Sequence, residues 1–167
     1  MTETAPAAKK VSESQSELSE LALPNDANGL GHLLGGKLMH LMDICGALAA
    51  MRHSRMYVVT VSFDHMSFVA PVHIGQLVLL YSSVNRTFRT SMEVGVKAVV
   101  EDLRTGARQH VASAYLTFVA LDESRKPAPV PALVPETADE KRRYEEAGRR
   151  RAYRLEAAGR SSVTEME

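Results

Sequence analysis

The sequence predicts an α+β fold: an antiparallel sheet of five or so strands wrapped around one long central helix, with a further helix at the C-terminal end. Three observations carry the expectation. The stretch "GHLLGGKLMHLMDICGALAAM", residues 31–51, is apolar on every side from Gly35 onward, broken only by Lys37, His40 and Asp43. With no Pro and no β-branching beyond Ile44, it reads as a helix buried all round. After it come segments rich in β-branched and aromatic residues, punctuated by Pro, Gly and "RTG", which read as strands. Last, "ETADEKRRYEEAGRRRAYRLEAAG" is charged and helix-favouring.

Taken in order, residues 1–16 are polar, show no periodic apolar face, and are expected to be a disordered tail. A core domain spans residues 17–125. Within it "SELALP" is a short first strand, "NDANGLGHLLGG" is turn-rich, and the helix runs from Gly35 to Arg52. "YVVTVSFDHMSF" follows as a strand with Val59, Val61 and Phe63 on one side and Thr60, Ser62 and Asp64 on the other. "APVHIG" turns the chain and "QLVLLYSSVNRTF" resumes it. "TSMEVGVKAVVEDL" and "ARQHVASAYLTFVAL" then form a long hairpin. The result is a β-α-β-β-β-β meander curled around the helix. The Pro-rich residues 126–135 should run extended as a linker, and residues 136–167 form the charged helix and tail. A single copy leaves a sheet edge and a helix flank open, so pairing with a second copy is expected.

Composition excludes several classes. The chain has 167 residues, 45% of them hydrophobic, enough for one substantial core. Twenty basic and twenty acidic residues cancel, so no global charge points to nucleic acid or a membrane surface. No apolar run is long enough to span a bilayer, and the first residues lack a secretory hydrophobic segment; a cytoplasmic protein is expected. The single cysteine, Cys45, lies in the apolar helix and reads as a small core residue. The histidines show no metal-ligand spacing with supporting ligands, so no metal is expected.

Asp43 is the residue that needs a reason. An ionised carboxylate buried without partners costs several kcal/mol or more. It is either a structural acid tied to a neighbour or a reacting group. Residues 36, 39, 43, 47 and 50 share one helical face, so Asp43 lies on the side of Gly36. The free N–H groups and positive dipole end at Gly35 and Gly36 can bind a developing oxyanion.

"NDANGLGHLLGGKLMHLMDICGALAAMRH", "VVTVSFDHMSFVAPVHIGQLV" and "NRTFRTSMEVGVKA", in that order over residues 18–122, resemble the hotdog-fold acyl-CoA thioesterases. The resemblance is to the brain acyl-CoA hydrolase branch and its single-domain bacterial relatives. It implies hydrolysis of fatty acyl-CoA to free acid and coenzyme A, with Asp43 as general base on water or as nucleophile through a mixed anhydride. No cofactor is implied beyond the coenzyme A of substrate and product. The resemblance places His32 where the family often has an Asn that approaches the acid of a partner subunit. An imidazole there can orient water or donate to the thioester oxygen. Asn28 matches the family's Asn in "DAN", as a substrate contact or a turn cap. Thr60 would line the acyl or pantetheine channel, although strand alternation alone makes it solvent-facing. Arg86, Arg89, Thr90 and Ser91 would meet the phosphates of coenzyme A. The relatives imply a homodimer as minimal unit and a hexamer as the assembly.

Two rivals are weighed against this. A hotdog enoyl-CoA hydratase would use paired Asp26 and His32, but the spacing is one residue too long, Gly29 replaces the motif's Pro, and Asp43 is left unexplained. A non-catalytic acyl-CoA-binding module would use the same groove without turnover. The near-balanced charges of the C-terminal segment favour a helix packed on a neighbour over a nucleic-acid element.

Overall fold

The central helix, α1 (Gly35–Ser54), starts where the two glycines follow the turn-rich segment, and no side chain caps its first N–H groups. It ends at Arg55, which adopts a left-handed conformation (φ 58°) and closes the last turn by donating its N–H to the Met51 carbonyl at 2.8 Å. The computed structural model describes residues 6–164, with side chains described for residues 6–159.

Strands β2 (Ser16–Leu21), β3 (Tyr57–Phe68), β4 (Leu77–Thr87), β5 (Ser91–Glu101) and β6 (Arg108–Leu121) form one antiparallel sheet in the order β2-β4-β5-β6-β3. The α+β class holds, with one difference from a simple meander: only β4-β5-β6 pair in sequence, while β3 crosses to the far edge beside β6. The reason lies in residues 69–76, which cross the start of α1. Leu33 donates its N–H to the Val72 carbonyl at 2.8 Å, and Ala22 donates to the Gln76 carbonyl at 2.9 Å. The side of β4 that a meander would give to β3 is already taken by β2.

One face of the sheet packs on α1. Leu38, Leu41, Met42, Cys45 and Ala49 are buried there with Leu80, Val94, Val96, Leu116 and Phe118. The approach is closest at Gly46, where an added Cβ would stand 3.1 Å from the Phe118 ring. The helix is buried on this side alone. Met39, Ile44 and Met51 remain 37–39% exposed, because a single sheet covers half of a helix's circumference.

The expected disordered tail is a correction. Residues 1–5 lie outside the described residues, but β1 (Lys9–Lys10) pairs in parallel with β7 (Leu133–Val134). Val11 and Ser14 are buried, and Ser14 accepts the Val84 N–H at 2.9 Å while donating to the Val11 carbonyl at 2.7 Å. No periodicity announces such a segment, since a two-residue strand pairing and isolated side chains hold it. The Pro-rich segment is extended, and it buries Val130 and Leu133 against the core as it passes. The charged segment forms α2 (Ala138–Thr164), which lies on the sheet face opposite α1.

Candidate active site

Asp43 sits on α1 two turns beyond Gly36, half-buried, and Thr60 Oγ1 of β3 donates to its Oδ1 at 2.7 Å. Thr60 therefore faces the helix. Its cross-strand partner is Phe118, which packs on α1. The simple alternation expected for β3 fails, because the pairing with β6 slips twice and leaves Val61 and Asp64 without partners. The slips put Phe63 opposite the buried Leu116 and turn Asp64 to the other side of the sheet.

The start of α1 lines a cleft of about 400 Å³ with Asn28, His32, Leu33, Phe68 and Val72. Gly35 faces it, and the first N–H groups of the helix have no intrahelical acceptor. Asn28 Oδ1 accepts the N–H groups of Leu30 at 2.9 Å and His32 at 3.1 Å, so this side chain does shape the turn. The His32 ring meets His73 edge to face with centroids 4.8 Å apart. No contact joins His32 or Asn28 to Asp43 among the described residues. Gly36 and Asp43 share a helix face, but seven residues of rise separate them by roughly 10 Å.

The four residues expected at phosphate lie away from this cleft in the single chain. Arg89 is exposed at the β4–β5 hairpin, its carbonyl accepting the Val130 N–H at 3.1 Å, while the Thr90 carbonyl accepts the Ala120 N–H at 3.0 Å. Ser91 opens β5 opposite Val119. This hairpin stands beside the C-terminal end of α1, where His53 Nε2 donates to the Pro131 carbonyl at 2.8 Å, and thus at the end opposite Gly35. Arg86 is engaged by α2: its guanidinium lies 4.3 Å from the Tyr144 ring and donates to the Tyr144 carbonyl at 3.2 Å.

Asp26, half of the alternative hydratase pair, forms an ion pair with Lys37 at 3.5 Å, and no hydrogen bond or ion pair joins it to His32 among the described residues. Among the described residues no group of three or more His, Cys, Asp or Glu is placed to hold a metal. No described helix is long and apolar enough to cross a membrane. Cys45 is fully buried and its thiol is pushed up in pKa by burial, with Ser82 Oγ at 3.3 Å opposing the shift. What sequence reasoning missed is the Thr60–Asp43 bond itself and the double slip beyond it. The one available signal was an acid, Asp64, on what alternation made the same face as Thr60.

A half-buried carboxylate with a hydroxyl donor, on the open flank of a helix wrapped by one antiparallel sheet, defines a hotdog protein with an acid-bearing central helix. The thioesterase superfamily profile matches residues 30–107. The uncharacterized acyl-CoA thioester hydrolase YkhA of Bacillus subtilis is 45% identical over 117 residues, 70% of this chain and 68% of that protein. A hexameric acyl-CoA thioesterase solved in its apo form superposes with a TM-score of 0.88 at 40% identity, covering 92% of this chain and 98% of that one. The acyl-CoA hydrolase of Staphylococcus aureus, solved with butyryl-CoA, coenzyme A and coenzyme A disulfide, gives 0.86 at 34% identity over 94% of this chain and 96% of that one. That enzyme is also known as alanine variants of an aspartate, an asparagine and a threonine. The chain belongs to the thioesterase superfamily, as its three motifs implied.

Proposed function

We infer that the protein is an acyl-CoA thioester hydrolase, converting fatty acyl-CoA and water to the free acid and coenzyme A. The observation that carries this reading is the Asp43 carboxylate on the open flank of α1, oriented by Thr60 Oγ1 at 2.7 Å. The aspartate, asparagine and threonine varied in the Staphylococcus aureus enzyme are the residue types found at Asp43, Asn28 and Thr60. Asp43 takes the proton from attacking water, or attacks the carbonyl carbon itself. The N–H groups at Gly35 and Gly36 receive the negative charge that develops on the thioester oxygen.

These two halves act on one carbonyl only if they come from different copies. Reacting atoms must lie about 3 Å apart, whereas about 10 Å separates Gly36 from Asp43 along one helix. A second copy lying with its α1 antiparallel on the exposed flank brings its own Gly35, Asn28 and His32 toward Asp43. The surface for it is present: Met39, Ile44, Val59, Val61 and Phe68 are 37–54% exposed on α1 and on β3, the sheet edge. The same arrangement brings Arg89, Thr90 and Ser91 of one copy to the helix start of the other, where coenzyme A phosphates need donors. Further assembly to a hexamer, as in the apo thioesterase it resembles, and a cytoplasmic setting complete the proposal.

The test is thiol release from a series of acyl-CoA esters of increasing chain length. Asp43→Asn is expected to lower turnover by at least about a hundredfold, the scale of a positioned acid–base group, while substrate still binds. Binding of acyl-CoA with no release by the unsubstituted protein would instead identify a non-catalytic module.

A further inference from the structure

The C-terminal helix meets the irregular part of β3 at one carboxylate. Asp64 is one of the two β3 residues left unpaired by the register slips, and its side chain is 10% exposed. Its Oδ1 accepts Ser62 Oγ at 2.9 Å, from between the slips on its own strand. Its Oδ2 accepts Thr117 Oγ1 of β6 at 3.2 Å and an Nη1 proton of Arg154 on α2. Ser62 and Thr117 are themselves cross-strand partners. One carboxylate therefore fastens the irregular part of β3 to the neighbouring strand and to α2.

The first slip begins immediately after Thr60, the donor to Asp43. Among the described residues β3 pairs only with β6, so within one copy the contacts that fix its register come from β6 and from α2. Arg154 lies one turn beyond Arg150, which holds Glu93 of β5 at 2.7 Å, so both arginines project from one face of α2 onto the sheet. Glu93 lies on β5, with β6 between it and the slips of β3; Asp64 lies within them.

We propose that Arg154 and Asp64 are positioning residues for hydrolysis, holding the double slip of β3 in the one register that aims Thr60 Oγ1 at the Asp43 carboxylate. The inference rests on the hydrolase reading above for its kinetic readout. It gives α2 a part in turnover although none of its described side chains is bonded to Asp43. When Arg154 is lost, Asp64 keeps only neutral hydroxyl donors, β3 gains alternative registers, and Thr60 spends less time on the acid.

The experiment is a double-mutant cycle of Arg154→Gln and Thr60→Ala, with kcat and KM measured on one acyl-CoA. A misplacement of this kind lowers kcat by about tenfold or more, with KM within about twofold. In the Thr60→Ala background Arg154→Gln is expected to add less than about twofold, since its route to the acid is already gone. Arg154→Lys, which keeps the charge, restores most of the loss. Arg150→Gln, which frees Glu93 and leaves Asp64 alone, lowers thermal stability while kcat stays within about twofold below the transition. Equal effects of Arg154→Gln in both backgrounds, or an equal kcat loss from Arg150→Gln, would overturn the proposal. If the unsubstituted protein releases no thiol from any acyl-CoA, the hydrolase reading fails, and a crystal structure of Arg154→Gln decides the positioning. Thr60 Oγ1 moved out of hydrogen-bond distance of Asp43 supports it; an unchanged bond refutes it.

Discussion

Removing Arg150 tests how α2 is held. Glu93 lies in the middle strand of the sheet with its side chain 2% exposed, and it faces α2 rather than α1. Arg150 meets it as a fork, Nη2 to Oε1 at 2.7 Å and Nε to Oε2 at 3.1 Å, while Asn85 Nδ2 supplies one further bond at 3.1 Å. The guanidinium also stacks 3.7 Å from the Tyr115 ring. Arg150→Ala leaves a buried carboxylate with a single neutral donor. Breaking a buried pair from one side costs about 3–5 kcal/mol, and the 22% exposure of Arg150 puts this case at the low end, about 3 kcal/mol. For a chain of this size each kcal/mol moves the midpoint by about 2–4 °C, so the transition falls by about 6–12 °C. The assay is thermal unfolding followed by circular dichroism at one protomer concentration, because assembly makes the midpoint concentration-dependent. Adding Glu93→Gln removes the stranded charge and should recover at least about half of the loss, since a neutral amide is far cheaper to bury. A shift under about 2 °C for Arg150→Ala, or a double variant less stable than the single one, refutes the reasoning.

His53 gives a pH dependence of known sign. It is fully buried in the last turn of α1, with Nε2 donating to Pro131 and Nδ1 without a partner among the described residues. Burial is the largest influence and lowers its pKa below the ordinary value of 6.5; the Pro131 bond opposes this, and the Lys9 charge adds to it. The unfolded chain binds a proton that the folded chain resists, so stability is complete above pH 6.5 and is lost as pH falls below it. Urea midpoints for the unsubstituted protein and His53→Gln should converge as the pH drops from 7 to about 5, with the slope steeper for the former. Cys45, fully buried with a raised thiol pKa, should react with an aromatic disulfide reagent only after denaturation. The same reagent can then monitor released coenzyme A without background from the protein, and a prompt single-equivalent burst from native protein would contradict the packing.

The particular elements show where sequence reasoning succeeds. The strand "YVVTVSFDHMSF" is β3 residue for residue, and α1 begins at the expected Gly35. Local signals are strong there: β-branched enrichment, a glycine pair, the absence of Pro. Pairing was less legible. Nothing local states that β3 would cross to β6, because that follows from β2 already occupying the side of β4. Residues 9–16 are ordered for a related reason: Val11 is buried, Ser14 meets Val84 and Lys9 meets His53 and β7, long-range contacts that share no periodic face.

By itself the sequence determined the α+β class, the elements, and the acid at position 43, since side-chain periodicity and the cost of burying charge are local matters readable from neighbours. Tertiary structure alone decided that Thr60 donates to Asp43 and that Arg86 is held by α2. Those facts depend on register slips and crossings, and each is fixed by contacts between residues remote in sequence.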